Sequence, residues 1–259
     1  AGVKIHNERS VEAGIKYFLF GGLASAIMAF GFSILYGMGG TTRIDEIHAA
    51  VTAANVPIAG VMGAVLLVLA GFTFKISAVP YHWWAPDVYE GAPTPVTGFL
   101  STASKVAGFA VMMRLMSILF GAEHAFIWQL LIAVIAVASM FVGNLSAISQ
   151  KNFKRLLAYS SIAQAGYMLV GVAAGTELGY TSVIYYLIVY LLTNLMLFAL
   201  IGWVEKHAGN AELDSFAGLH KRSPLAAFAF LIGLLSLGGI PPFGGFVVKL
   251  LVFAAAMES

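Results

Sequence analysis

The sequence predicts an all-α polytopic membrane protein with about seven transmembrane helices, two of them broken. Composition is the first reason. Of the 259 residues, 60% belong to the set AVILMFWYC and only 10% are charged, with a mean hydropathy of +0.89. An average soluble domain is about a quarter charged and under half apolar. A soluble globule of this size would leave too much apolar surface in water, and a disordered chain would be poor in apolar residues. The second reason is spacing. Charge-free runs recur at the length of a spanning helix, roughly 20 residues. They lack the alternation of barrel strands, so lipid outside requires helices.

The elements follow in chain order. No Asp, Glu, Lys or Arg occurs from Tyr17 to Thr42, which places the first span at about 12–37. The run Ile47 to Phe74 gives the second, 57–78. The third, 96–119, is apolar but interrupted by Lys105 and Arg114. The runs His124–Gln150, Leu156–Thr176, Leu178–Val204 and Ser223–Val248 give 126–148, 156–174, 179–204 and 224–256. Residues 1–259 thus read as a single transmembrane domain. Basic loop residues orient it: Lys4 and Arg9, then Lys151, Lys154 and Arg155, then Lys206, Lys221 and Arg222 fall on one side. Loops on the other side carry only Arg43. The basic side is expected to be cytoplasmic.

Other totals exclude function classes. The absence of cysteine rules out disulfides, thiolate-held iron–sulfur clusters and a cysteine nucleophile. A net charge of +2 gives no reason to expect nucleic acid. There is no Walker loop, dinucleotide fingerprint or zinc motif, and the six scattered histidines form no i,i+4 pair on a span, so no metal site is expected. No signal peptide heads the chain. The start Ala1-Gly2-Val3 and the abrupt end Met257-Glu258-Ser259 suggest a fragment of a longer protein.

Two segments are unlike simple helices. Four of the eight prolines lie between Pro80 and Pro95, too dense for a continuous helix. The other is Gly238-Gly-Ile-Pro241-Pro242-Phe-Gly-Gly245, inside the seventh span. Breaks at membrane depth are tolerated where backbone is buried in protein or lines a cavity, which is how transporters build ion sites. A tight re-entrant or surface turn is the plainer alternative.

Charges inside spans are the candidate functional groups. A lysine at a helix centre costs about 2.5–3.5 kcal/mol on insertion scales, so it usually faces an interior or a wet cavity. Lys105 lies near the middle of its span, and Lys249 follows the second break by four residues. Lys75 closes an apolar run just before the first break, where snorkelling to the interface is the structural alternative. Burial disfavours the charged form of lysine and a nearby carboxylate restores it, so such residues can load and release protons. His82 is a candidate relay beside Lys75, or else a packing residue among Tyr81, Trp83 and Trp84. Glu12 and Lys16 stand i,i+4 on the first span, as a surface pair or as a proton entry. Arg114 reads as an interface anchor. Tyr159, Ser160, Ser161, Gln164 and Tyr167 on the fifth span, with Thr193 and Asn194 on the sixth, could hold water between the charges, and read singly as glue between helices.

The stretch Phe74-Lys75-Ile-Ser-Ala-Val-Pro80-Tyr-His82-Trp-Trp-Ala-Pro86-Asp87-Val-Tyr-Glu90-Gly-Ala-Pro-Thr-Pro95, followed by Phe99-Leu-Ser-Thr-Ala-Ser-Lys105, resembles a known family. It is similar to the antiporter-like membrane subunits of proton-pumping NADH–quinone oxidoreductase (respiratory complex I), which are shared with multisubunit sodium/proton antiporters. The Asp-Val-Tyr-Glu-Gly wording is that of the N-type subunit. Agreement continues through Arg9-Ser-Val-Glu12-Ala-Gly-Ile-Lys16, Lys154-Arg-Leu-Leu-Ala-Tyr-Ser-Ser-Ile-Ala-Gln-Ala-Gly-Tyr167, Leu213-Asp-Ser-Phe-Ala-Gly-Leu and Gly239-Ile-Pro-Pro-Phe-Gly-Gly-Phe-Val-Val-Lys249.

The resemblance implies a fourteen-helix antiporter-like fold built on inverted repeats, of which these spans would be the sixth to the twelfth. It implies that Lys75 is the central proton-binding lysine of a first half-channel. Lys105 would be the connecting lysine and Lys249 the lysine of a second half-channel. Glu12 and Lys16 match charges at the start of the sixth helix, and His82 a histidine after the break. The helix breaks at Pro80 and at Pro241, Pro242 and Gly245 match the family's broken seventh and twelfth helices. It further implies proton transport driven by redox chemistry elsewhere. No cofactor is expected in this chain, and FMN, iron–sulfur clusters and quinone belong to partner subunits. Partners would be neighbouring antiporter-like and small membrane subunits in a bacterial inner membrane. The family's upstream glutamate partner of the central lysine and its last two helices are not in this sequence. The alternatives are a cation/proton antiporter subunit, a membrane hydrogenase or dehydrogenase subunit of the same superfamily, and a proton-inactive scaffold.

Overall fold

A computed structural model describes residues 7–53, 56–120 and 125–258. Lys4, counted among the orienting charges, and the chain ends Ala1–Val3 and Ser259 lie outside the described residues. Among those described the elements are helices: α1 Glu8–Gly39, α2 Ile44–Val51, α3 Ile58–Ile76, α4 Trp84–Gly91, α5 Thr94–Leu119, α6 Ala125–Ile148, α7 Phe153–Ala174 and α8 Glu177–Ala208. A 3-10 turn at Leu213–Phe216 and a short α9 at Leu219–Arg222 lead into α10 Pro224–Gly238 and α11 Gly244–Met257. Helices α1, α3, α5, α6, α7 and α8 are each long and apolar enough to cross a membrane. The seventh expected segment is two shorter apolar helices, α10 and α11, separated at the Gly/Pro break. The first break likewise separates α3 from α4. Helix α2 was not anticipated: it is a short helix of just over two turns whose His48 Nδ1 lies 3.1 Å from Leu119 O. At its start the hydrogen bond from Arg43 holds the Asp45 carboxyl below the usual carboxylate range.

Helix ends are set by local chemistry. Asn7 caps α1, Asn152 caps α7 and Thr176 caps α8, each side-chain oxygen accepting from a first-turn N–H. Gly40, Gly175 and Gly209 close α1, α7 and α8 in the left-handed conformation. Proline opens α5 and α10 in the first turn, where its missing N–H costs nothing.

Packing divides into two apolar clusters. One joins Val65, Val68 and Phe72 of α3 to Phe109 and Met112 of α5 and Tyr186 and Tyr190 of α8. The other gathers Trp84 and Tyr89 of α4, Phe198 of α8, Phe153 of α7 and Phe230 of α10. The outward faces stay apolar, as a lipid solvent allows: Phe18, Phe126, Ile148 and Leu225 are each at least 77% exposed. Helices α6 and α7 approach backbone to backbone. A Cβ on Gly143 would come within 2.5 Å of Ala163 N, and one on Gly166 within 2.8 Å of Ala136 O. Small residues at such crossings are what membrane helices use when no hydrophobic drive separates protein from lipid.

Two outcomes test this architecture. Gly143→Val should push α6 off α7 and destabilise the chain by about 1–3 kcal/mol, whereas Gly22→Ala, with open space around the added carbon, should be neutral; subunit retention in detergent against temperature is the measure. For topology, tags at Asn152 and Lys221 should both report cytoplasmic exposure and a tag near Glu177 the opposite side. Reporters placing 152 and 177 together would overturn the seven-span arrangement.

Candidate functional site

The backbone freed at each break is satisfied by side chains from elsewhere. At the first, Ser77 ends α3 in the left-handed conformation, with φ 61°. The carbonyl of Phe74 accepts from Trp84 Nε1 at 3.1 Å, and Val79 N donates to Ser139 Oγ on α6 at 3.0 Å. The Val79–Pro80 and Pro241–Pro242 bonds are cis. At the second break the last carbonyls of α10 are held by polar groups. Lys249 Nζ donates to Leu237 O at 2.9 Å and to Gly238 O at 3.3 Å, and Gln164 Nε2 donates to the same Leu237 O at 2.9 Å. A cation at a helix C-terminus is favoured by the helix dipole. Gly245 is demanded by the geometry: a Cβ there would fall 1.6 Å from Ser236 O, while its N–H donates to Ser236 Oγ.

Between the breaks lies Lys105, wholly buried. Its Nζ donates to Ser161 O at 2.7 Å and to Ser161 Oγ at 3.0 Å, and sits 6.0 Å from the Tyr190 ring. No carboxylate pairs with it among the described residues. One turn along α7 from Ser161, Gln164 accepts a hydrogen bond from Tyr186 and reaches Leu237 O. A polar line therefore runs from Lys105 through Ser161 and Gln164 to the Leu237 carbonyl and Lys249. Lys249 also lies 4.5 Å over the Tyr167 ring.

The three lysines sit in different surroundings. Lys105 is buried and Lys249 is half-buried, but Lys75 is exposed. It opens onto a cleft of about 660 Å³ between α1, α3 and α5, lined by Tyr17, Gly21, Phe74 and Gly108. Among the described residues, no element covers that face of α3. His82 is 4% exposed and stacks on Trp83 at 4.6 Å, with Nδ1 lacking a partner. No hydrogen bond joins it to Lys75 among the described residues.

Glu12 and Lys16 do pair, at 2.6 Å, but inside a larger array. Lys16 also meets Asp87 of α4 at 2.5 Å. Arg155 of α7 meets the other Asp87 oxygen at 2.6 Å and Glu90 at 3.2 Å, and Arg9 meets Glu90 at 3.3 Å. Nearby, buried Lys154 reaches Glu205 at 3.5 Å and donates to Ala92 O; Thr94 donates to the same glutamate. The alternating charges tie α1, α4 and α7 together on the basic side. Sequence reading used Arg155 and Lys154 only for orientation and missed their carboxylates. The signal was present, since Asp87 and Glu90 are the two charges in the otherwise uncharged run Ile76–Ser104. Arg114 is exposed, as an anchor would be. Among the described residues, no three His, Asp or Glu come together as a metal site.

Comparison with known proteins fits this geometry. The family model described as NADH:quinone oxidoreductase/Mrp antiporter, TM, matches residues 1–259. The NADH-quinone oxidoreductase subunit N of Heliobacterium modesticaldum is 49% identical over 254 residues, covering 96% of this chain and 52% of that protein. Among solved structures, a chain of respiratory complex I from Thermus thermophilus with bound aureothin is 36% identical with a TM-score of 0.82, over 99% of this chain and 55% of that one. A chain of the Mrp complex from Dietzia sp. DQ12-45-1b is 32% identical with a TM-score of 0.89, over 97% and 46%. The chain spans about half the length of the relatives it matches. With its broken helices and buried lysines, and a family model matched from end to end, the chain is a multi-pass membrane protein that belongs to the NADH:quinone oxidoreductase/Mrp antiporter transmembrane family.

Proposed function

We propose that this chain is the central part of an N-type subunit of NADH–quinone oxidoreductase, carrying protons across a bacterial inner membrane. The observation that carries the reading is Lys105: a lysine wholly buried and, among the described residues, without a carboxylate and hydrogen-bonded only to Ser161. In a lipid-embedded fold such a residue is expensive unless it serves a purpose. Its protonation state is set by the charges that arrive near it, which is the behaviour a coupled proton carrier needs. Lys249 at the second break stands at one end of the polar line and Lys105 at the other, while Lys75 stands apart from it at the first break. Glu12 and Lys16 lie at the basic side, where protons would enter, and His82 is the relay in the first break. In this reading the chain supplies no redox group. Flavin, iron–sulfur clusters and quinone sit in partner subunits, and neighbouring membrane subunits hold the chain in register. The exposed cleft at Lys75 is where the acidic partner of that lysine is expected from the part of the protein upstream of residue 1.

A second reading, a cation/proton antiporter subunit, is supported by the likeness to the Mrp complex. Sodium-driven proton movement in vesicles, without NADH or quinone, would favour it over the first.

Replacing Lys105 by Met separates a pump from a scaffold. The substitution keeps most of the stem and removes the insertion cost of about 2.5–3.5 kcal/mol, so a scaffold should tolerate it or gain stability. A pump should lose redox-driven acidification of vesicles, and quinone reductase turnover should fall with it because the two are coupled. Normal pumping with Lys75, Lys105 and Lys249 each replaced by Met would sink the pump reading.

A second experiment addresses the breaks. Changing Pro241 and Pro242 together to Ala should let α10 run on into α11 and withdraw the Leu237 and Gly238 carbonyls from Lys249. Assembly should survive, checked by blotting, while acidification falls. Unchanged acidification in the assembled complex would remove the second break from the path.

A further inference from the structure

The lysine path leaves a group of buried hydroxyls without a role. Ser161 Oγ, which accepts from Lys105, lies 3.5 Å from the hydroxyl of Tyr89. Tyr89 belongs to α4, the half-helix beyond the first break, and is wholly buried. Its ring is fixed by edge contacts with Trp84 at 6.2 Å and Phe198 at 6.1 Å. Toward the break stands Ser77, also wholly buried and near enough to interact electrostatically with the Tyr89 hydroxyl, with no hydrogen bond formed between them. Ser77 Oγ has no hydrogen-bond partner among the described residues, and neither does Tyr190 Oη next to the same Ser161. Buried polar atoms are nearly always paired, and leaving one unpaired is costly. Two such hydroxyls within one cluster, around a lysine that has no carboxylate, mark a group of side chains with more hydrogen-bonding capacity than this arrangement uses.

We propose that Tyr89 carries protons between Lys105 and the first break, joining two parts of the path that the lysines alone leave apart. The inference rests on the reading of Lys105 as a proton carrier. In the outward step the Lys105 ammonium gives a proton to Ser161 Oγ as Ser161 gives its own to Tyr89. Tyr89 passes its proton to Ser77, and Ser77 passes its own to a water molecule reaching the break. Every hydroxyl ends with one proton, Lys105 is left as the amine, the water becomes hydronium, and one positive charge has moved. The hydroxyls then turn to receive the next proton. The link is hydrogen-bonded from Lys105 to Tyr89 and unpaired at Ser77, so transfer requires the Ser77 hydroxyl to come within hydrogen-bond reach of Tyr89. Ser161 Oγ, which also donates to Ala158 O at 2.9 Å, has a resting partner when it is not passing protons.

The test uses the full-length subunit in its native membrane complex, with redox-driven acidification of vesicles as the readout and subunit content fixed by blotting. Tyr89→Phe keeps the ring and its packing and removes only the hydroxyl. It should assemble normally and slow acidification roughly a hundredfold or more, the lower end of what loss of a proton-transfer group costs. The ratio of rates in H2O and D2O should rise above wild type, a change that a packing defect would not produce. Ser77→Ala, which removes the next hydroxyl of the link and leaves both hydrogen bonds of Lys105 in place, should behave the same way and decides the matter if Tyr89→Phe fails to assemble. Normal acidification in both variants while Lys105→Met is inactive would overturn the Tyr89 link and leave the lysine reading standing. Normal acidification in Lys105→Met as well would overturn both.

Discussion

Lipid offers the backbone no hydrogen bonds, and most of this structure answers that constraint. A continuous helix satisfies itself. Wherever proline or glycine interrupts one, the freed N–H and C=O groups need protein partners, and those partners decide which helices must be neighbours. Trp84 and Ser139 close the first break, which ties α3 to α4 and to α6. Lys249, Gln164 and Ser236 close the second, which ties α10 to α7 and α11. The polar side chains at the centre of the fold are therefore structural by necessity before they are anything else.

That necessity also explains how a single group serves two ends. Lys249 caps the α10 carbonyls and is at the same time a half-buried cation on the polar line. Its capping bonds go to neutral oxygens, which an ammonium holds more strongly than an amine does, so its charge is coupled to the shape of the break. Lys105 has no capping duty. It reaches into the side of α7, whose Ser161 carbonyl already belongs to a helix, and this is why its burial asks for a functional explanation more pressingly than that of Lys249.

The charge array on the basic side works differently. Arg9, Glu12, Lys16, Asp87, Glu90 and Arg155 are partly exposed, and isolated exposed pairs stabilise little. Here one aspartate receives a lysine from α1 and an arginine from α7 through separate oxygens. The array fixes where α4 sits, and α4 brings Tyr89 to Ser161. A surface network thereby sets the position of a buried hydroxyl that lies on the same short helix, between Asp87 and Glu90.

The sequence by itself determined the class, the helices and the two breaks. Charge-free runs of bilayer length, clustered prolines and glycines, and the one-sided basic loops are local signals, each enforced by lipid or by backbone geometry over a few residues. It also singled out Lys105 and Lys249, because a charge in an apolar run is conspicuous in one dimension. Only the tertiary structure decided what those charges meet. Lys75, Lys105 and Lys249 are each a lysine within or at the end of an apolar run, yet one faces an open cleft, one is enclosed and one caps a helix end. The partnership of Asp87 with Arg155, and the meeting of Tyr89 with Ser161, join residues 68 and 72 positions apart. Such pairs are set by how helices pack through glycine contacts and satisfied breaks, and no local pattern encodes which far residue fills the place beside a lysine.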